Sequence, residues 1–83
     1  MNQDWDKAVE LELHGAGKYR IVKSTEEAAE SLLYRWPGVK TGPAWIRAQK
    51  ACLEALEGRM AGRHVRTAFI AAAAEAKISV RGK

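Results

Sequence analysis

Residues 8–27 read AVELELHGAGKYRIVKSTEE, and this stretch decides the fold class. Val9, Leu11 and Leu13 alternate with Glu10, Glu12 and His14, the period-two pattern of a strand with one apolar face. After Gly15-Ala16-Gly17, Tyr19 and Ile21 alternate against Arg20 and Val22. A three-residue loop sets Leu13 opposite Tyr19, Leu11 opposite Ile21 and Glu12 opposite Arg20, with glycine free to take a positive φ. A two-residue loop would turn one strand's apolar face outward, so the spacing predicts a hairpin with Tyr19 and Ile21 facing in.

Ser24 and Glu27 then have capping-box spacing, in which each side chain satisfies a free backbone N–H at the start of a helix. Ala28, Ala29, Leu32, Leu33 and Trp36 fall on one arc of that helix, and Pro37 ends it. Pro43 suits the first turn of a second helix, where its missing N–H costs nothing. Trp45, Ile46, Ala48, Cys52, Leu53, Ala55 and Leu56 share an apolar face there, and Gly58 is the stop. A third, alanine-rich helix is expected from Ala61 to Lys77, followed by a short strand in KISVR (77–81) with Ile78 and Val80 inward. The expected fold is α+β in the order β-β-α-α-α-β, a three-stranded, mainly antiparallel sheet with helices packed on one face. The whole chain, 1–83, reads as a single domain with 1–6 as a loose N-terminal tail.

YRWPGVKTGPAW (34–45) joins the first two helices and carries two of the three tryptophans and both prolines. Trp36 and Trp45 lie on the apolar arcs of their helices, so the segment reads as a corner plugged by core tryptophans. A ligand site there would have to use Tyr34, Arg35 and Lys40.

The 83 residues carry a net charge of +4, and 47% are hydrophobic. Charge is uneven: seven acids and four bases in 1–30 give −3, while three acids and ten bases in 31–83 give +7. No apolar run approaches the roughly 20 residues that a membrane helix needs, which argues against a membrane partner. A single cysteine and an acidic N-terminus point to a cytoplasmic location.

Candidate chemistry is thin. Cys52 sits mid-face among apolar residues, where a thiol is inert packing. Neither His14 nor His64 has partners at metal-ligand spacing. GAGK (15–18) lacks the remainder of a phosphate loop and joins two strands. No catalytic residue, metal ligand or cofactor is expected, and the chain reads as non-enzymatic.

Two surfaces stand out. Arg59, Arg63, Arg66 and Lys77 fall in one sector of the third helix and would suit a polyanion or an acidic partner. Within AFIAAAAEA (68–76), Ile70, Ala71 and Ala74 point away from the sheet-covering face, and a helix apolar on two sides is usually buried on two. They are the candidate self-association residues.

RWP (35–37), Gly42, A..ACLEALEG (48–58) and R.AFIAAAAEA..SV (66–80) together resemble a family of small alphaproteobacterial proteins catalogued as domain of unknown function 982. The resemblance runs from about Val9 to Val80 and implies a compact α+β domain in a bacterial cytoplasm, with no reaction, cofactor or catalytic residue attached. Similar family members open the third helix with Ser/Thr-Pro-acid, where this chain has Ala61-Gly62-Arg63. The expectation is therefore a non-enzymatic cytoplasmic interaction module, a homodimer that binds a protein partner. The alternative is a nucleic-acid-binding module using the basic sector of the third helix.

Overall fold

The alternating segments become β1 (Asp4–Glu12) and β2 (Tyr19–Ser24). They are followed by α1 (Thr25–Tyr34), α2 (Pro43–Leu56), α3 (Gly62–Glu75) and β3 (Val80–Arg81). The computed structural model describes residues 4–13, 17–38 and 40–82, so the hairpin tip and His14 lie outside the described residues. The strands form one antiparallel sheet in the order β2-β1-β3. This is the expected α+β fold in the expected order. The central strand is the longest, and its Val9 and Leu11 are fully buried against a core that includes Val22, Leu32, Val65 and Phe69.

The hairpin register differs from the expected one. Val9 pairs with Val22, Glu10 with Ile21, Leu11 with Arg20 and Glu12 with Tyr19, one residue away from the register a three-residue loop would give. Because paired residues share a face, the inward set on β2 is Arg20, Val22 and Ser24, and Ile21 is 58% exposed. Ser24 and Arg20 account for this choice. Ser24 must reach the first turn of α1, where its hydroxyl accepts from Glu27 N–H at 3.1 Å. Arg20 lies along the same face, its Nε donating to Ser31 Oγ at 3.3 Å and its Nη2 to Glu30 at 2.7 Å. A charge pointing inward on an edge strand also discourages pairing with another chain. Glu27 reaches back one residue beyond the N-cap, accepting from Lys23 N–H at 2.9 Å.

Of the expected N-terminal tail, residues 1–3 lie outside the described residues, and 4–6 are strand instead. β1 begins at Asp4, and Trp5 is buried. Four residues of β1, 5–8, stand opposite Lys23 alone, a bulge that breaks the alternation. Trp5 there packs 5.8 Å from Phe69 between ring centroids and donates from Nε1 to the buried Thr25 hydroxyl at 3.2 Å.

Trp36 and Trp45 are core residues, as their arcs predict. Trp36 lies 5.9 Å from Phe69 between ring centroids, and Trp45 Nε1 donates to Leu32 O at 3.2 Å. The apolar faces of α1 and α2 are narrower than the sequence suggests. Leu33, Ile46, Leu53 and Leu56 are exposed, while Ser31 of α1 and Ala51 of α2 take places in the interior.

Helix ends show why the third layer closes as it does. At the end of α2, Gly58 N–H bonds Ala55 O and Arg59 N–H bonds Glu54 O, with Gly58 at φ +84°. The end of α3 repeats this pattern: Lys77 N–H bonds Ala74 O and Ile78 N–H bonds Ala73 O. Here the left-handed residue is Lys77, at φ +59°. The N-terminus of α2 has no side-chain cap of its own, since Gly42 stands at that position. The cap comes from α3: Glu75 accepts from Ala44 N–H at 2.9 Å and from Trp45 N–H at 3.2 Å.

Candidate functional site

The three arginines and one lysine expected to form a basic patch differ in their local bonding. The turn after α2 brings Arg59 back onto Glu54, with Nε 3.0 Å from Oε2, and its guanidinium also reaches Glu57. That hydrogen bond and charge hold the Glu54 carboxyl below the usual carboxylate range and raise the Arg59 pKa in turn. Arg66 is half-buried and ties two strands together, Nε donating to Lys7 O at 2.8 Å and Nη2 to Gly82 O. Arg63 and Lys77 are exposed. They are fourteen positions apart at the two ends of α3, about 21 Å along a helix axis. The structure therefore brings together only Arg63 and Arg66, which line one cavity with Asp4, Trp5 and Asp6, and leaves Arg59 and Lys77 apart from it.

The candidate self-association residues divide as well. Ala71 and Ala74 are exposed, whereas Ile70 is half-buried and packs against the core. Exposed large apolar side chains concentrate elsewhere. Among the described residues there are six, and five of them (Leu33, Tyr34, Ile46, Leu53 and Leu56) belong to α1 and α2. On α2, Ile46, Gln49, Leu53 and Leu56 fall within an arc of roughly 80° at 100° per residue. Their spacing of three, four and three residues is the a-d-a-d seam by which one helix pairs with another. This arc lies apart from the core-facing Ala48, Ala51 and Ala55 of the same helix. The sequence contains the seam in full, but reading all the apolar positions of α2 as one face merged it with the core.

Between α2 and α3 runs a groove of about 310 Å³, lined by Ala51, Met60 and Ala68 with Arg47, Lys50 and His64 around them. Glu54 also lines it. A second cavity, about 340 Å³, lies at the tryptophan corner beside Trp36, Thr41 and Glu75. Trp36 Nε1 is buried there with no hydrogen-bond partner among the described residues. Of the residues a ligand site would have used, Tyr34 is 78% exposed, and Lys40 donates from Nζ to Leu33 O at 2.5 Å.

The open face of the sheet closes on itself. Arg81 bonds Glu10 across the β1–β3 pair at 2.8 Å and places its guanidinium 3.9 Å from the Tyr19 ring centroid. Cys52 is 2% exposed, and burial pushes its thiol up to about 11, away from the thiolate form a nucleophile needs. Among the described residues, no group of three His, Cys, Asp or Glu side chains could hold a metal ion. No helix among them is long and apolar enough to cross a membrane.

These features define a small α+β domain: a bulged hairpin and a short third strand backed by three helices. The chain belongs to the family described as protein of unknown function DUF982, whose family model matches residues 7–80. No curated protein and no solved structure matches it.

Proposed function

We propose that this domain is a non-enzymatic protein-interaction module of the bacterial cytoplasm that works as a homodimer, joined through the exposed seam of α2. The observation that carries this reading is the a-d-a-d spacing of Ile46, Gln49, Leu53 and Leu56 on a fourteen-residue helix, with Leu53 55% exposed. A seam this narrow suits a helix as its partner better than a flat surface. Charge favours a second copy of the same helix. Lys50 and Glu57 both fall on the e flank of the seam, and an antiparallel two-fold pairing turns that flank on itself. Lys50 of one copy then meets Glu57 of the other, with the two Leu53 side chains near the axis. The alternative, a nucleic-acid-binding module using the basic sector of α3, has less support, since Arg59 and Arg66 are already bonded within the chain.

Sedimentation velocity over a range of concentrations tests the reading. The wild-type chain should sediment as a dimer and Leu53→Asp as a monomer with unchanged far-UV circular dichroism. Ile70→Glu distinguishes the α3 surface: loss of the dimer in a folded Ile70→Glu chain, with Leu53→Asp still dimeric, would move the interface there. A wild-type monomer at hundreds of micromolar would refute homodimerisation altogether.

A further inference from the structure

The groove between α2 and α3 has apolar walls and a basic rim, and these ask for opposite things of a ligand. Ala51 at its floor is buried, and Met60 and Ala68 are partly buried against the core. Two close-packed helices with alanine between them leave a shallow trough into which side chains of two or three residues can fit. Around it stand Arg47, Lys50 and His64, all exposed. Among the described residues, neither Arg47 nor Lys50 has an ion-pair partner. The one acid lining the groove, Glu54, is bonded to Arg59. The rim therefore offers uncompensated positive charge above an apolar floor.

We infer that this groove docks an acidic amphipathic helix of a partner protein, its apolar residues seated over Ala51, Met60 and Ala68 and its carboxylates toward Arg47, Lys50 and His64. Each half of the site selects for this partner. The rim rewards anions, and a partner of like charge would be repelled. The floor rewards apolar side chains, which a phosphate backbone does not present, so the chemistry favours an acidic protein segment over nucleic acid. The groove lies on the Arg47–Ala51 side of α2; a dimer joined at the seam would draw Lys50 toward Glu57 of the second copy but leave Arg47, His64 and the apolar floor open. The inference goes beyond the self-association reading and does not require it.

The test uses the full chain with ¹³C-labelled methyl groups and an acetylated fifteen-residue peptide of leucine and glutamate in heptad order. A matching peptide with lysine in place of glutamate and a short DNA duplex serve as controls. The acidic peptide should shift the Met60, Ala51 and Ala68 methyl resonances to saturation, and the lysine peptide should leave them in place. Arg47→Glu reverses one rim charge on an exposed position and should weaken binding about tenfold or more. Leu53→Asp should bind the peptide as the wild type does, whether or not the wild type dimerises, so the two readings can fail separately. Equal shifts with both peptides, shifts centred on the methyls of Leu53, perturbation by DNA but not by the acidic peptide, or no Met60 shift at millimolar peptide would each overturn the inference.

Discussion

The cap that Glu75 places on α2 yields a prediction that can be worked through numerically. The Gly42 backbone takes φ −68° and ψ 150°, values open to any residue, so alanine is not excluded there by conformation. The conflict is one of position, because a methyl group on Gly42 would fall inside the Glu75 carboxylate. That carboxylate ends a flexible side chain, so Gly42→Ala should swing it away rather than distort the backbone. The cost is then the loss of the cap. Two first-turn N–H groups lose a charged acceptor, and side-chain caps of this kind contribute about 1–2 kcal/mol. Glu75→Ala removes the same two bonds, so each single substitution should cost about 1–2 kcal/mol. Together they should cost little more than either alone, leaving a coupling energy of about 1 kcal/mol or more in a double-mutant cycle. For a chain of this size each single change should lower Tm by about 4–8 °C per kcal/mol. Urea unfolding followed by circular dichroism at 222 nm measures all four corners. Additive losses would refute the reasoning, because they would mean that Gly42 and Glu75 act on different parts of the fold.

Two further outcomes follow from individual residues. Lys77 occupies a left-handed position at the end of α3 that Gly58 occupies at the end of α2, and left-handed backbone costs most residues about 1–2 kcal/mol. Lys77→Gly should therefore raise stability by roughly 0.5–1 kcal/mol after the added chain entropy of glycine is counted, and a lower urea midpoint would contradict this. Cys52 should resist a thiol reagent at pH 8 in the native chain and react at once in denaturant. With its folded pKa raised by burial to about 11 from 9.0, its contribution to stability is complete below pH 9 and lost as pH rises toward 11. Cys52→Ala should flatten that alkaline limb, and an unchanged limb would place its origin elsewhere.

The elements of this fold are legible because their signals are local. Ser24 with Glu27, Pro43 at the start of α2 and Gly58 at its end are each decided within a few residues, and each stands where its chemistry requires. What the sequence hides depends on distance or on phase. Trp5 shares the odd positions of the buried Val9 and Leu11, but the exposed Lys7 between them interrupts the apolar alternation, so the pattern is legible only from residue 8 onward. Glu75 caps a helix thirty residues away, which no local pattern can show. The face of β2 was open to the other reading, but Ser24 held the answer: it caps α1, and residues 20, 22 and 24 share its side of the strand.

The exposed seam of α2 shows why phase matters most. An isolated helix with apolar residues spread over two-thirds of its circumference can present a single broad face or two narrow ones, and a helical wheel does not distinguish them. On α3 the extra apolar positions are small, and Ile70 is drawn toward the core, so little large apolar surface is left over. On α2 three of the five buried residues are alanine, flanked by Trp45 and Cys52, while the larger Ile46, Leu53 and Leu56 remain outside. Size separates the two faces. Alanines allow α2 and α3 to approach closely, and that close approach leaves no room for leucine between them. The larger residues are turned outward by the same packing that completes the core, to where only another chain could cover them. A leucine placed at Ala51 or Ala55 would press the helices apart, whereas one at Leu53 costs the isolated domain nothing in packing. This asymmetry is why the self-association proposal rests on the seam of α2 and not on the alanine run of α3.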